Sequence, residues 1–65
     1  MKASEIARKL KAQGWYIYQH GTRHDKWRHN KYKNGKMSIL IPRHKSEELS
    51  PGVQAEILAA MNEIE

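Results

Sequence analysis

Residues 15–29 read WYIYQHGTRHDKWRH, and this stretch decides the fold. Trp15 to His20 is aromatic and β-branched, the composition of a strand that packs on one side. Gly21-Thr22 supplies a turn, and a second strand is expected from His24 to His29. Side chains alternate across a strand, so His24, Lys26 and Arg28 share one face while Asp25, Trp27 and His29 share the other. Burying the indole of Trp27 therefore sends the basic row to solvent. The same alternation assigns Trp15 and Ile17 inward, and Tyr16, Tyr18 and His20 outward.

The flanks complete the pattern. Ser4 is expected to cap a first helix running to about Gln13, with Ile6 and Leu10 on one face and Gly14 at its C-terminal end. Downstream, Asn34-Gly35 is a hairpin signal, followed by a third strand whose inward residues are Met37, Ile39 and Ile41 and which Pro42 closes. A loop from Arg43 to Leu49 leads to Ser50-Pro51, a cap followed by proline in the first turn. The last helix then carries Val53, Ile57, Leu58, Met61 and Ile64 on an apolar stripe. The expected fold class is α+β, in the order α-β-β-β-α. Two helices cover one face of a three-stranded antiparallel sheet and leave the other open.

At 65 residues the chain forms one domain, residues 1–65, with a thin core. It has no cysteine, so neither a disulfide framework nor a cysteine-based zinc site is available. No stretch is apolar enough to span a bilayer, and Met1 to Glu5 lacks the apolar run of a secretory leader. A cytoplasmic protein with no membrane partner is the expectation.

Charge is partitioned along the chain. Residues 19–45 hold eight Lys and Arg against Asp25 alone, a net of +7, together with all 4 histidines. Residues 46–65 hold five glutamates and no Lys or Arg, a net of −5. Such asymmetry is the electrostatic footprint of a protein that binds a polyanion; a solvated lysine-rich surface is the bland alternative.

The basic segment also has the ingredients for cutting RNA without a metal. RNA carries its own nucleophile, the ribose 2′-OH, so a protein must move protons and stabilise charge on phosphorus. Histidine suits the first task because its ordinary pKa of about 6.5 leaves both protonation states available near neutrality. Lysine and arginine suit the second. His24, Lys26 and Arg28 offer those types on one face. Surface rows of this kind are common, so taken alone the pattern fits solvated charge as well. A zinc site built from the histidines is not expected.

Five segments carry a resemblance. Lys2-Ala3-Ser4-Glu5, Gln13-Gly14-Trp15, Gly21-Thr22-Arg23-His24, Ile41-Pro42-Arg43-His44, and Leu49 with Pro51-Gly52 and Ile57-Leu58 fall in the order and spacing of the HicA family of toxin–antitoxin mRNA interferases, which the chain resembles over nearly its whole length. The resemblance implies the fold of a double-stranded-RNA-binding domain, endonuclease activity on mRNA with no cofactor or metal, and a cognate HicB-type antitoxin protein. It implies that His24 is the catalytic histidine, because the family's histidine lies in a Gly-Ser-x-His type turn entering the second strand. The chain departs from that pattern at Thr22, where the hydroxyl survives. Thr22, Arg23, Lys26 and Arg28 are then the expected RNA-binding residues, although Arg23 is equally readable as exposed charge. His20 is either an ordinary strand-end residue or a second proton-transfer group. His44 either bonds backbone or touches RNA. His29, on the parity of Trp27, is expected to be structural. The competing function is a non-catalytic RNA-binding module of the same fold, indifferent to His24.

Overall fold

The computed structural model describes residues 1–64. Its elements are α1 (Ala3–Gln13), β1 (Tyr16–His20), β2 (His24–Arg28), β3 (Ile39–Pro42) and α2 (Pro51–Glu63), with a 3-10 turn at Tyr32–Gly35. The strands form one antiparallel sheet in the order β1-β2-β3, so β2 lies in the middle. This is the open-sheet α+β fold that the sequence predicts.

The core lies between the helices and one sheet face. Ile6 and Leu10 of α1, Trp27 and Ile41 of the sheet, and Ile57 and Ala60 of α2 are buried, with Trp15 and Leu49 at the ends. Across the sheet, Ile17 pairs with Trp27, and Trp27 pairs with Ile39. These residues form the inward row. On α2 Ile57 and Ala60 are buried and Leu58, Met61 and Ile64 pack against the core, while Val53, expected on the stripe, is exposed.

The helix ends show what competes with a local cap. Ser50 caps α2 as expected, its Oγ accepting from the Val53 amide at 3.3 Å, with Pro51 in the first turn. Ser4 does not cap α1. Lys2 holds the N-cap position without a side-chain bond, and the helix begins at Ala3. The amides of Ala3 and Ser4 donate instead to the carbonyls of Glu47 (2.9 Å) and Lys45 (3.1 Å). The unpaired donors of a helix start accept any well-placed oxygen, and here the 45–49 loop supplies it. The Met1 ammonium pairs with Glu48 in the same seam and, as its bonded partner, holds that carboxyl below the usual carboxylate range.

At the other end of α1, Gly14 takes φ 103°, and its amide bonds the carbonyls of Leu10 and Lys11. A side chain here would be strained, and its Cβ would meet His29 Nε2 at 3.1 Å. Between β2 and β3 there is no tight hairpin. Lys33, Asn34 and Gly35 all have positive φ, as the Asn-Gly signal suggested, but they turn the chain within the 3-10 segment rather than joining paired strands. The third strand consequently starts at Ile39, and Met37, predicted inward, is 56% exposed.

Because Leu10 is wholly enclosed, Leu10→Ala is expected to lower unfolding free energy by about 2–5 kcal/mol in urea denaturation. Leu40→Ala, on the open face, should change it by no more than about 0.5 kcal/mol.

Candidate nucleic-acid interface

The β1–β2 turn is built by close backbone approach. The Gly21 amide donates to the His24 carbonyl at 2.9 Å. A Cβ on Gly21 would lie 2.3 Å from that oxygen, so only glycine fits the turn.

Arg43 ties the turn down from the far strand. Its amide donates to the Arg23 carbonyl at 3.0 Å, its guanidinium donates to the Gly21 carbonyl at 2.9 Å, and its Nε lies 3.4 Å from Asp25 Oδ1. Asp25 also accepts from His20 Nδ1 at 3.0 Å. The single acid of the basic segment is thereby committed to the side of the sheet away from the basic row. Thr22, Arg23 and His24 project from a turn fixed by several bonds, and all three are exposed. In the sequence Arg43 stands out only within the Ile41-Pro42-Arg43-His44 segment. No local pattern marks that role, because only the pairing of the strands brings residue 43 opposite residue 23.

The outer face carries the predicted row. His24 pairs with Pro42 and Lys26 with Leu40, and both His24 and Lys26 are exposed. Arg28 is on the same face but half-buried, its guanidinium carbon 3.6 Å from the centre of the Tyr18 ring, and it donates to the Gly35 carbonyl at 3.4 Å. It is thus a stacked cation, less free than Lys26 to reach a phosphate.

His20 is a correction. Alternation places it outward with Tyr16 and Tyr18, but the register of β1 shifts between Ile17 and Gln19, so that Gln19 pairs with Lys26 and His20 with Asp25. A bulge of one residue reverses the parity of everything beyond it. His20 therefore shares the face of Asp25, opposite to His24. His29 has the expected structural role: its Nε2 donates to the Gln13 carbonyl at 3.1 Å, its Nδ1 accepts from the Lys31 amide, and its ring meets Trp15 edge-on at 5.5 Å. His44 is exposed and hydrogen-bonds Ser46 at 2.9 Å. With Thr22, Arg23, Arg43 and Glu47 it lines a shallow depression of about 470 Å³, so the structure gathers these turn and loop residues on one side of His24.

A larger concavity lies elsewhere. A groove of about 710 Å³ between β3 and α2 is lined by apolar Leu40, Val53 and Ile57 and by carboxylates, among them Glu47 and Glu56. Its charge repels phosphate, so it does not suit a polyanion despite its size. His24 borders this groove and stands where the acidic and basic surfaces meet. Among the described residues, no three His, Asp or Glu side chains gather in a metal-holding arrangement, and no helix is long and apolar enough to cross a membrane.

Fold and surface together define a small α-β-β-β-α protein with an open cationic sheet face. The family model described as the HicA toxin of bacterial toxin–antitoxin systems matches residues 3–62, and the chain belongs to that family. Comparison with curated proteins and with solved structures gave no match.

Gly21→Ala is expected to break the Gly21–His24 contact. Amide exchange measured by NMR should accelerate at Gly21 and Arg43, while the Leu10 amide in α1 keeps its protection; unchanged exchange at the turn would contradict the tight-approach account.

Proposed function

We propose that the chain is the toxin of a type II toxin–antitoxin system and acts in the cytoplasm as a metal-independent endoribonuclease on mRNA. Its membership of the HicA toxin family supports the toxin role. The observation that carries the nuclease reading is the position of His24, exposed at the start of β2 beside a fixed turn and in line with Lys26 on the face opposite Asp25.

In this reading the 2′-oxygen of the substrate attacks the adjacent phosphorus, and His24 takes the proton that the hydroxyl loses. The bond from phosphorus to the 5′-oxygen breaks, leaving a 2′,3′-cyclic phosphate, and the departing oxygen takes up a proton. Lys26 and Arg23 neutralise the charge that builds on the phosphoryl oxygens, and Thr22 donates its hydroxyl to phosphate. Arg28 stands farther along the same row. A HicB-type antitoxin would silence the toxin by laying an acidic surface over this face, which charge complementarity favours.

One observation favours a second assignment of the proton-transfer group. His20 is oriented by a carboxylate, with Asp25 at 3.0 Å, and its side chain is 65% exposed. His44, beside Thr22 and Arg23, is a further candidate for the group that protonates the leaving oxygen.

Purified protein incubated with labelled single-stranded RNA in EDTA tests the reading. Cleavage is expected, and His24→Ala should reduce it at least about 100-fold, as loss of a general acid–base group does, while circular dichroism shows a native fold. The same substitution should relieve growth arrest. Cleavage at the parental rate by His24→Ala, with its loss in His20→Ala, would move the chemistry to the Asp25 side of the sheet. Binding without products would make the chain an RNA-binding module instead.

A further inference from the structure

The aromatic residues divide into two groups. Trp15 and Trp27 are buried, and Tyr32 leans on Trp15 at 5.2 Å between ring centres; these build the core. Tyr16 and Tyr18 do not. They are 44% and 51% exposed on the outer sheet face, where no helix covers them and the core gains nothing from their rings. Large aromatic surface left in water on a solvated strand face costs hydration free energy unless something uses it.

Their surroundings indicate what that is. Tyr16 sits directly opposite Arg28, and the Arg28 guanidinium lies over the Tyr18 ring at 3.6 Å. Among the described residues no carboxylate pairs with Arg28, and its Nε has no hydrogen-bond partner. The bulge in β1 widens this face, because Gln19 joins it opposite Lys26 while His20 leaves with Asp25. The result is a patch of two phenol rings, a stacked guanidinium, an amide and a lysine, without an acid. We propose that this patch is a stacking platform for unpaired RNA bases, with Tyr16 and Tyr18 as the residues that hold them. The proposal rests on the reading of the chain as an RNA-directed toxin and adds the form in which the RNA is bound.

Duplex RNA hides its base faces inside its own stack and offers a protein phosphates and ribose. Only an unpaired base presents a π-face to a tyrosine. The platform therefore selects single strands, and it does so largely without reading sequence, since every base has such a face. Its place relative to His24 sets where it acts. Arg28 lies four residues along β2 from His24, roughly 13 Å at strand spacing. At about 3.4 Å per nucleotide in a stacked strand, and up to about twice that in an extended one, the stacked bases lie about two to four nucleotides from the phosphate at His24. Cutting is thereby confined to RNA that is unpaired on that side of the scissile bond.

The test uses full-length protein carrying His24→Ala, so that the RNA survives, and fluorescence anisotropy with three probes. These are a 12-nucleotide single strand, the same sequence as a duplex, and a ribose-phosphate strand of equal length without bases. Tyr16→Ala and Tyr18→Ala should each weaken single-strand binding about tenfold, leave duplex and abasic binding alone, and leave the salt dependence of affinity unchanged. Tyr18→Phe should bind as the parent does, which separates stacking from misfolding. Lys26→Ala, by contrast, should weaken all three probes and lower the salt slope by about 1. Salt-dependent RNA binding that ignores both tyrosine substitutions, or an abasic strand bound as tightly as the natural one, overturns the platform while leaving the nuclease reading intact. No RNA binding by any form overturns both.

Discussion

Trp27 sits on the middle strand with Ile17 beside it on β1 and Ile39 on β3, and it is only 3% exposed. Burying that indole stabilises the fold by a few kcal/mol and fixes the pleat of β2. Lys26 and Arg28, on either side of it, must then point the other way, and His24 follows. The chemistry-bearing row therefore needs no fold of its own. It is the back of the residue that holds the sheet to the helices.

The second organising force is the division of charge. Glu47, Glu48, Glu56 and Glu63 border the β3–α2 groove, and Glu48 also pairs with the Met1 ammonium and Glu63 with Lys33. The cations of residues 19–45 crowd the sheet and its turns. His24 stands on the boundary. A phosphate backbone approaching it is repelled from the groove side and drawn toward Arg23 and Lys26, so the field alone narrows the directions from which RNA can come. Exposed single ion pairs are worth little in stability, and the value of this arrangement lies in steering rather than in holding the fold.

How much of this was legible depended on whether the deciding interaction was local. Period-2 alternation at His24 to Arg28, the Gly14 helix end and the Ser50-Pro51 cap were readable because each is set by neighbours in sequence. Ser4 does not cap because the α1 amides bond carbonyls at Glu47 and Lys45, more than forty residues away, which no local pattern announces. Met37 falls outside the inward row because the left-handed turn at Lys33–Gly35 delays β3 to Ile39. For His20 the missing information was the bulge. Parity read along β1 alone is sound up to Ile17 and wrong at His20, since only the pairing with β2 reveals the extra residue. The Arg43 strap was hidden for the same reason, as a cross-strand contact at the far end of the sheet.

Asp25 shows why register matters more here than composition. A slip of one residue in β2 would exchange the two faces, placing Lys26 among Ile17, Ile39 and the helices and bringing Asp25 between the outward cations. Burying an unpaired ammonium costs far more than a 65-residue core can offset. The slipped arrangement would also cancel the outer field at the one place where phosphate has to sit. The same register that hides the indole thus assigns the acid to Arg43 and His20, where it anchors the turn, and leaves His24 in line with Lys26. Stability and the proposed chemistry select one pairing between them, and neither requires a residue that the other excludes.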